Sequence, residues 1–289
     1  MGELSAMEPV AVGLIGAGPW AEAVHAPTLA AGPHTRLAGV WARRPRSAAR
    51  LGVPVYERVE ELFDVCEAVA FCVPPGVQAE LAVQAAKAGK ALLLEKPLAA
   101  DLDGAKRLAD AVGEAGVASQ MVLTFRYSAA TKAFLERVHA IEPFGGYALN
   151  ISGALHTIDS PWRQERGAIL DVGPHMIDML DAALGPVVGI RAHGHTLGWV
   201  GLMLEHQSGA VSEASLTMAA RVEHGASHLA VFGRHGSETL DGGDLGYDVF
   251  PDMVAEFAQT VRRGGGHPLD AHHGLRLQQI ITAAESQLG

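Results

Sequence analysis

Val10-Ala-Val-Gly-Leu-Ile-Gly-Ala-Gly-Pro-Trp-Ala21 opens as an apolar run and reaches Gly16-Ala-Gly18 within seven residues. A helix-permissive stretch, Glu22 to Ala31, follows it. Strand, glycine turn and helix in that order form the setting a dinucleotide turn requires. Gly16 lets the chain leave the strand tightly. Gly18 has no Cβ, so a pyrophosphate can approach the backbone, and amides at the helix N-terminus face the anion. Ala21 stands where the third glycine of the G-x-G-x-x-G pattern falls, a replacement the pattern tolerates. A plain strand with a glycine turn would look similar, so the rest of the chain has to decide.

The 289 residues suffice for two domains of ordinary size. A hydrophobic content of 48% with scattered charge describes a soluble globular protein. The net charge is −10 and there is no basic block, which makes nucleic acid a poor partner. No apolar run approaches the roughly 20 residues of a membrane span. With the first strand starting near residue 9, there is no room for a signal peptide, and Met1 to Glu8 reads as a loose leader. Cys66 and Cys72 make neither a metal spacing nor a disulfide framework, and read as buried thiols of a reducing cytoplasm. The 14 histidines are dispersed and form no metal-ligand motif, so no metal is expected.

Arg36 to Trp41 reads as a second strand. A fold that selects NAD usually places Asp or Glu after it, on the ribose 2′-hydroxyl. Here the residues are Ala42-Arg43-Arg44-Pro45-Arg46-Ser47, and no acid occurs from Ala23 to Tyr56. Arg43, Arg44, Arg46 and Ser47 therefore fit a 2′-phosphate, and the cofactor expected is NADP rather than NAD. The alternative is a solvated basic turn. Val53 to Tyr56, Glu67 to Val73, Ala91 to Glu95 and Val117 to Leu123 read as further strands. Helices at Val59 to Phe63, Val77 to Ala88 and Asp101 to Ala115 separate them. Six strands alternating with helices predict a doubly wound parallel sheet over residues 1–123.

After Thr124 the texture changes. Helices are expected at Ala129 to Ala140 and Gly173 to Leu184, with closing helices at Pro251 to Arg262 and His272 to Leu288. Strands are expected at Gly146 to Ala154, Val187 to Leu197, Trp199 to His206, Val211 to Ala219 and Ser227 to Phe232. Short turns between consecutive strands predict a largely antiparallel sheet, so residues 124–289 read as an α+β domain.

Lys96 falls at the C-terminal end of a parallel strand, the rim where open α/β sheets bind ligands. A lysine there can exchange a proton with a substrate oxygen. A surface lysine after a strand is equally common. Asp171 and His175 stand four apart in Asp171-Val-Gly-Pro-His175, with Pro174 suited to the first position of a helix. Their side chains can converge at that helix N-terminus, the carboxylate orienting and the imidazole passing a proton. A capping aspartate beside a satisfied polar histidine fits the same spacing.

Together these segments resemble the glucose–fructose oxidoreductase/inositol dehydrogenase family, Gfo/Idh/MocA. The likeness rests on the glycine turn, on Glu95-Lys96-Pro97, and on Asp171-Val-Gly-Pro-His175 opening a later helix. It spans almost the whole chain. It implies a catalytic group of Lys96, Asp171 and His175, and association of subunits into a homodimer or homotetramer through the open sheet of the second domain. Gly16, Gly18, Pro19, Trp20, Arg43, Arg44, Ser47, Pro74, Glu95 and Lys96 make the expected cofactor set. Arg126, Tyr127, His156, Trp162 and Arg163 are candidates to line the substrate pocket, and each equally suits a surface or packing role. Two departures stand out. The family commonly carries a histidine a few residues past the prolines of the fourth strand, where this chain has Gln78. The glycine-rich lead into the aspartate motif is Arg166-Gly167-Ala168.

The activity this implies is hydride transfer between NADP and a hydroxyl or carbonyl carbon of a sugar, cyclitol or related small molecule. The alternatives are a catalytically idle NADP-binding sensor, or a reductase of a diol, an imine or a tetrapyrrole. Fold alone does not separate them.

Overall fold

The computed structural model describes residues 8–242 and 247–289. The expected leader lies outside the described residues except for Glu8. The chain divides into two compact units. One comprises residues up to Val122 together with Asp248–Leu275. The other comprises Leu123–Tyr247 with Arg276–Gly289.

The first unit is built on six strands: β1 (Val10–Ile15), β2 (Thr35–Trp41), β3 (Val55–Tyr56), β4 (Ala68–Phe71), β5 (Ala91–Glu95) and β6 (Ser119–Val122). They lie in the order β3-β2-β1-β4-β5-β6, and every neighbouring pair is parallel. Helices α1 (Ala26–Ala31), α2 (Pro45–Ala48), α3 (Val59–Asp64), α4 (Pro75–Lys87) and α5 (Leu102–Ala115) connect them. All residues of β1 and β4 are buried, as an unbroken apolar run requires when both faces of a sheet are covered. β3, β4 and β6 are shorter than their expected runs. β4 stops at Phe71, ahead of Cys72 and the two prolines, and β3 keeps two residues after Pro54. Asp101 caps α5 by accepting the N–H of Gly104 at 2.7 Å, and Gly116 ends it in the left-handed region.

The second unit holds β7 (Pro143–Ile151), β8 (Val187–Gly194), β9 (Val200–His206), β10 (Val211–Thr217), β11 (Ala226–Gly233) and β12 (Gly236–Asp241). Their order is β12-β11-β7-β10-β9-β8. Four of the five pairings are antiparallel, and β7 runs parallel to β10. β7 inserts between two strands that follow it in sequence, so the sheet is not a simple meander. Helices α6 (Ala129–Ala140), α7 (Pro161–Asp171) and α8 (Gly173–Leu184) belong to this unit. α8 is buried on nearly every side and packs on β7 and β10. Helix α7 and strand β12 have no counterpart in the expected elements. α7 is interrupted at Gly167, whose φ of 59° breaks the helical period from which a helix is read.

One boundary needs correction. The sequence places everything after residue 123 in the second domain, yet α9 (Phe250–Arg263) and the start of α10 (Ala271–Glu285) belong to the first unit. Phe250, Met253, Val254 and Phe257 of α9 are buried. Gln120 donates its amide to the carbonyl of Met253 at 3.1 Å. The N–H of Met121 on edge strand β6 reaches the carbonyl of Leu269 at 2.7 Å. The returning segment thus satisfies backbone that an edge strand would expose. No helix among the described residues is long and apolar enough to cross a membrane.

Candidate active site

At the end of β1, Gly16 has φ 119°, and a Cβ there would lie 2.2 Å from the carbonyl oxygen of Cys72. Only glycine fits between β1 and the residue following β4. Gly18 differs: a Cβ placed on it meets nothing within 4 Å. Its missing side chain leaves the backbone open to a ligand, the feature a pyrophosphate cradle needs. β1 and β4 are adjacent at the centre of the sheet, where the strand order reverses, the place where doubly wound sheets bind nucleotides.

The helix beyond the turn contains a π-turn, Ala21–His25, that runs into α1. Its wider period puts Trp20 and His25, five residues apart, on one side. Trp20 Nε1 donates to Glu95 Oε1 at 3.0 Å, and His25 Nε2 shares the same oxygen at 2.8 Å. Both rings pack against Phe250 in T-shaped fashion, with centroids 5.8 and 5.7 Å away. The polar ends of Trp20 and Glu95, expected on the cofactor, thus engage one another and brace the glycine turn against the end of β5. His25, only 2% exposed, escaped the sequence reading because a helix of period 3.6 does not align it with Trp20. Pro74 stands immediately before α4, and Pro19 is exposed at the start of the turn.

Past β2, Arg43 and Arg44 are exposed, and Arg44 precedes α2. The hydroxyl and backbone N–H of Ser47 both donate to the carbonyl of Arg44, at 2.7 and 3.0 Å. Ser47 therefore shapes the turn that carries the arginines. Lys96 follows β5, with a cis bond to Pro97. Cys66 is buried, and burial pushes its thiol above the ordinary range, which suits an inert sulfur.

The second unit assembles a polar row of its own. Asp171 ends α7 and is buried. The next helix begins Gly173-Pro174-His175, so His175 sits in its first turn. Arg163 Nε donates to Asp171 Oδ2 at 2.8 Å, and its guanidinium lies 4.3 Å over the Trp162 ring. Gly167 permits this return of the chain: its φ is 59°, and a Cβ would fall 2.1 Å from the carbonyl oxygen of Thr196. The His175 ring stacks on Phe125, with centroids 4.5 Å apart. Arg126 Nη1 donates to Asp178 Oδ1 at 2.9 Å, and Asp178 is 1% exposed. Asp171, His175 and Asp178 follow an i, i+4, i+7 spacing. Asp178 and Phe125 were not singled out from the sequence, although Asp178 stands one helical turn beyond His175. Tyr127 is buried, and the imidazole of exposed His156 is 3.0 Å from the carbonyl oxygen of Ala219. Of the five expected pocket residues, Arg126 and Arg163 pair with carboxylates of this row.

Residues 10–123 match the family model Gfo/Idh/MocA, described as an oxidoreductase family with an NAD-binding Rossmann fold. Over those residues the chain is similar to the Gfo/Idh/MocA oxidoreductases. Glucose-6-phosphate 3-dehydrogenase of Bacillus subtilis is 28% identical across 58% of this chain and 52% of its own length. The NADP(+)-dependent scyllo-inositol 2-dehydrogenase of the same organism is 21% identical across 96% and 93%. The chain spans little more than half the length of the first curated relatives it matches. Among solved structures, the WlbA dehydrogenase of Bordetella pertussis, in complex with NADH and UDP-GlcNAcA, superposes with a TM-score of 0.87. It covers 96% of each chain at 20% identity, a likeness of fold. The parallel sheet with a second, mostly antiparallel one is thus a fold this chain shares with those solved structures.

Proposed function

We propose that this protein is an NADP-dependent oxidoreductase of the Gfo/Idh/MocA type, acting on a hydroxyl or carbonyl carbon of a small polar substrate of the sugar or cyclitol class. One observation carries the reading: the open Gly18 turn lies at the centre of the parallel sheet, and Lys96 follows a strand of the same sheet. The residues present fit a dinucleotide. Gly16 and Gly18 would admit the pyrophosphate, and exposed Arg43 and Arg44 would take the 2′-phosphate. The nicotinamide supplies hydride chemistry when bound. The protein's own work is the proton. Lys96 Nζ holds it at the substrate oxygen, donating in reduction and accepting in oxidation. His175, stacked on Phe125, takes part in proton transfer, and Asp171, anchored by Arg163, supports it. Subunits associate through the outer face of the second sheet.

Titration of NADP and NAD by fluorescence or calorimetry tests the cofactor. One good Arg–phosphate contact, at roughly 1.5–3 kcal/mol, favours NADP by about 10- to 100-fold. Equal affinity or tighter NAD binding would reject it. A screen of sugars, cyclitols and diols with NADP tests the activity. Failure of every class alongside tight NADP binding would favour a sensor.

A further inference from the structure

The end of β5 is held by a side chain that the proton path does not use. Gln78, on the first turn of α4, is 1% exposed. Its Oε1 accepts the N–H of Glu95 at 2.9 Å. Its Nε2 donates towards the carbonyls of Glu95, Leu98 and Pro97, at 2.7, 3.0 and 3.2 Å. One amide therefore holds four backbone atoms on both sides of Lys96. Two N–H protons face three carbonyls, so one proton is shared between two acceptors. A chain that has just left a β-ladder has no regular partners for these groups, and Gln78 provides them. The Glu95 side chain, between Trp20 and His25, anchors the same stretch from another direction.

We infer that Gln78 is a positioning residue for Lys96. Its amide fixes the backbone from which the lysine projects, and so sets where Nζ meets the substrate oxygen. The inference rests on the reading of Lys96 as the proton-transferring group. Its chemistry specifies an amide. A carboxylate of the same shape would turn an acceptor oxygen towards three carbonyls. A leucine would leave four buried backbone groups without this partner. The amide does not titrate, so the clamp holds at every working pH. A glutamate there can still donate one hydrogen bond while protonated and loses it on ionising, which adds a decline as pH rises.

The test compares wild type with Gln78→Glu and Gln78→Leu. Trace acetylation of lysines over about pH 6 to 10, read by peptide mass spectrometry, reports the local state of each amine. Exposed Lys87 and Lys106 serve as references. The expected result is a Lys96 profile displaced about threefold or more against those references, with NADP affinity kept within about threefold. Turnover should fall about 10-fold or more, because a small misplacement of a reacting group is costly. Gln78→Glu should also show the added decline on the alkaline side. An unchanged Lys96 profile in a folded variant overturns the inference, as does a displaced profile with wild-type turnover. If one variant does not fold, the other decides. If neither folds, Gln78 serves the fold alone and the inference fails. Full turnover by Lys96→Met would instead refute the role of Lys96, while the labelling still reports whether Gln78 positions it.

Discussion

In the proposed reading, Lys96, Asp171 and His175 are ordinary side chains given work by their supports. Lys96 leaves a strand end held by Gln78 and by the Glu95 brace. Asp171 is tied to Arg163, and His175 lies flat on Phe125. Lys96→Met tests the first of them directly. Methionine keeps the apolar stem but removes charge and donors. Turnover should fall by about 10²-fold or more, the usual contribution of a general acid or base, with NADP affinity and melting temperature kept. A solvated lysine predicts near-normal turnover, which steady-state kinetics on any accepted substrate would reveal.

At the scale of elements, the turn after β1 and the placement of α9 carry separate expectations. A Cβ on Gly16 would lie 2.2 Å from a backbone oxygen at a φ that side chains avoid, so Gly16→Ala must move β1 away from the residue following β4. A cost of about 2 kcal/mol or more and loss of dinucleotide binding are expected. Wild-type affinity by calorimetry would show that the turn can yield. α9 is pinned to the first unit by Arg262, which bonds the Glu67 carboxylate, while Glu67 also accepts the N–H of Ala11 at 2.9 Å. The Arg262 guanidinium holds the Glu67 carboxyl below its ordinary value of 4.5. A carboxylate depressed in the folded state stabilises above its unfolded pKa, and this is lost as pH falls through the folded value. Glu67→Gln should thus be less stable than wild type at pH 7, by at most about 1 kcal/mol since the pair is partly exposed. In denaturant melts the gap should close below pH 4.5. A gap that persists in acid would mean that the hydrogen-bond geometry, and not the charge, holds α9.

For the whole molecule, one face of the second sheet carries exposed apolar side chains among the described residues. Phe232, Tyr147, Val211 and Met203 fall on the same side by strand register, and each is about two-fifths exposed. Tyr147 stacks on Phe232 with centroids 6.3 Å apart. Glu205, Glu213 and Arg191 share that face by the same register. An apolar patch with a charged surround suits a partner surface. A homodimer or homotetramer is expected, and light scattering of wild type at micromolar concentration should return an even multiple of the 30.2 kDa chain. Met203→Glu should shift it towards the monomer without unfolding it. A monomeric wild type would reject the assembly.

The strand, glycine turn and helix at Val10–Ala31, the alternation through six strands, and Asp171 and His175 at a helix start were legible because they are local. A run of apolar residues, a missing Cβ and a spacing of four act through neighbours in the chain. What escaped depends on partners far apart in sequence. Helix α9 reads as a closing helix, and contacts with residues far away in sequence, among them Gln120, Glu67 and Trp20, assign it to the first unit. β7 reads only as a strand of a largely antiparallel sheet, yet it enters that sheet parallel to β10, a pairing that no local pattern encodes. His25 joins Trp20 on Glu95 only through a π-turn, and Gln78 grips the backbone on either side of Lys96 from 17 to 20 residues away. Periodicity in sequence decides which residues are buried. Which buried polar groups satisfy one another is decided only when the chain closes on itself.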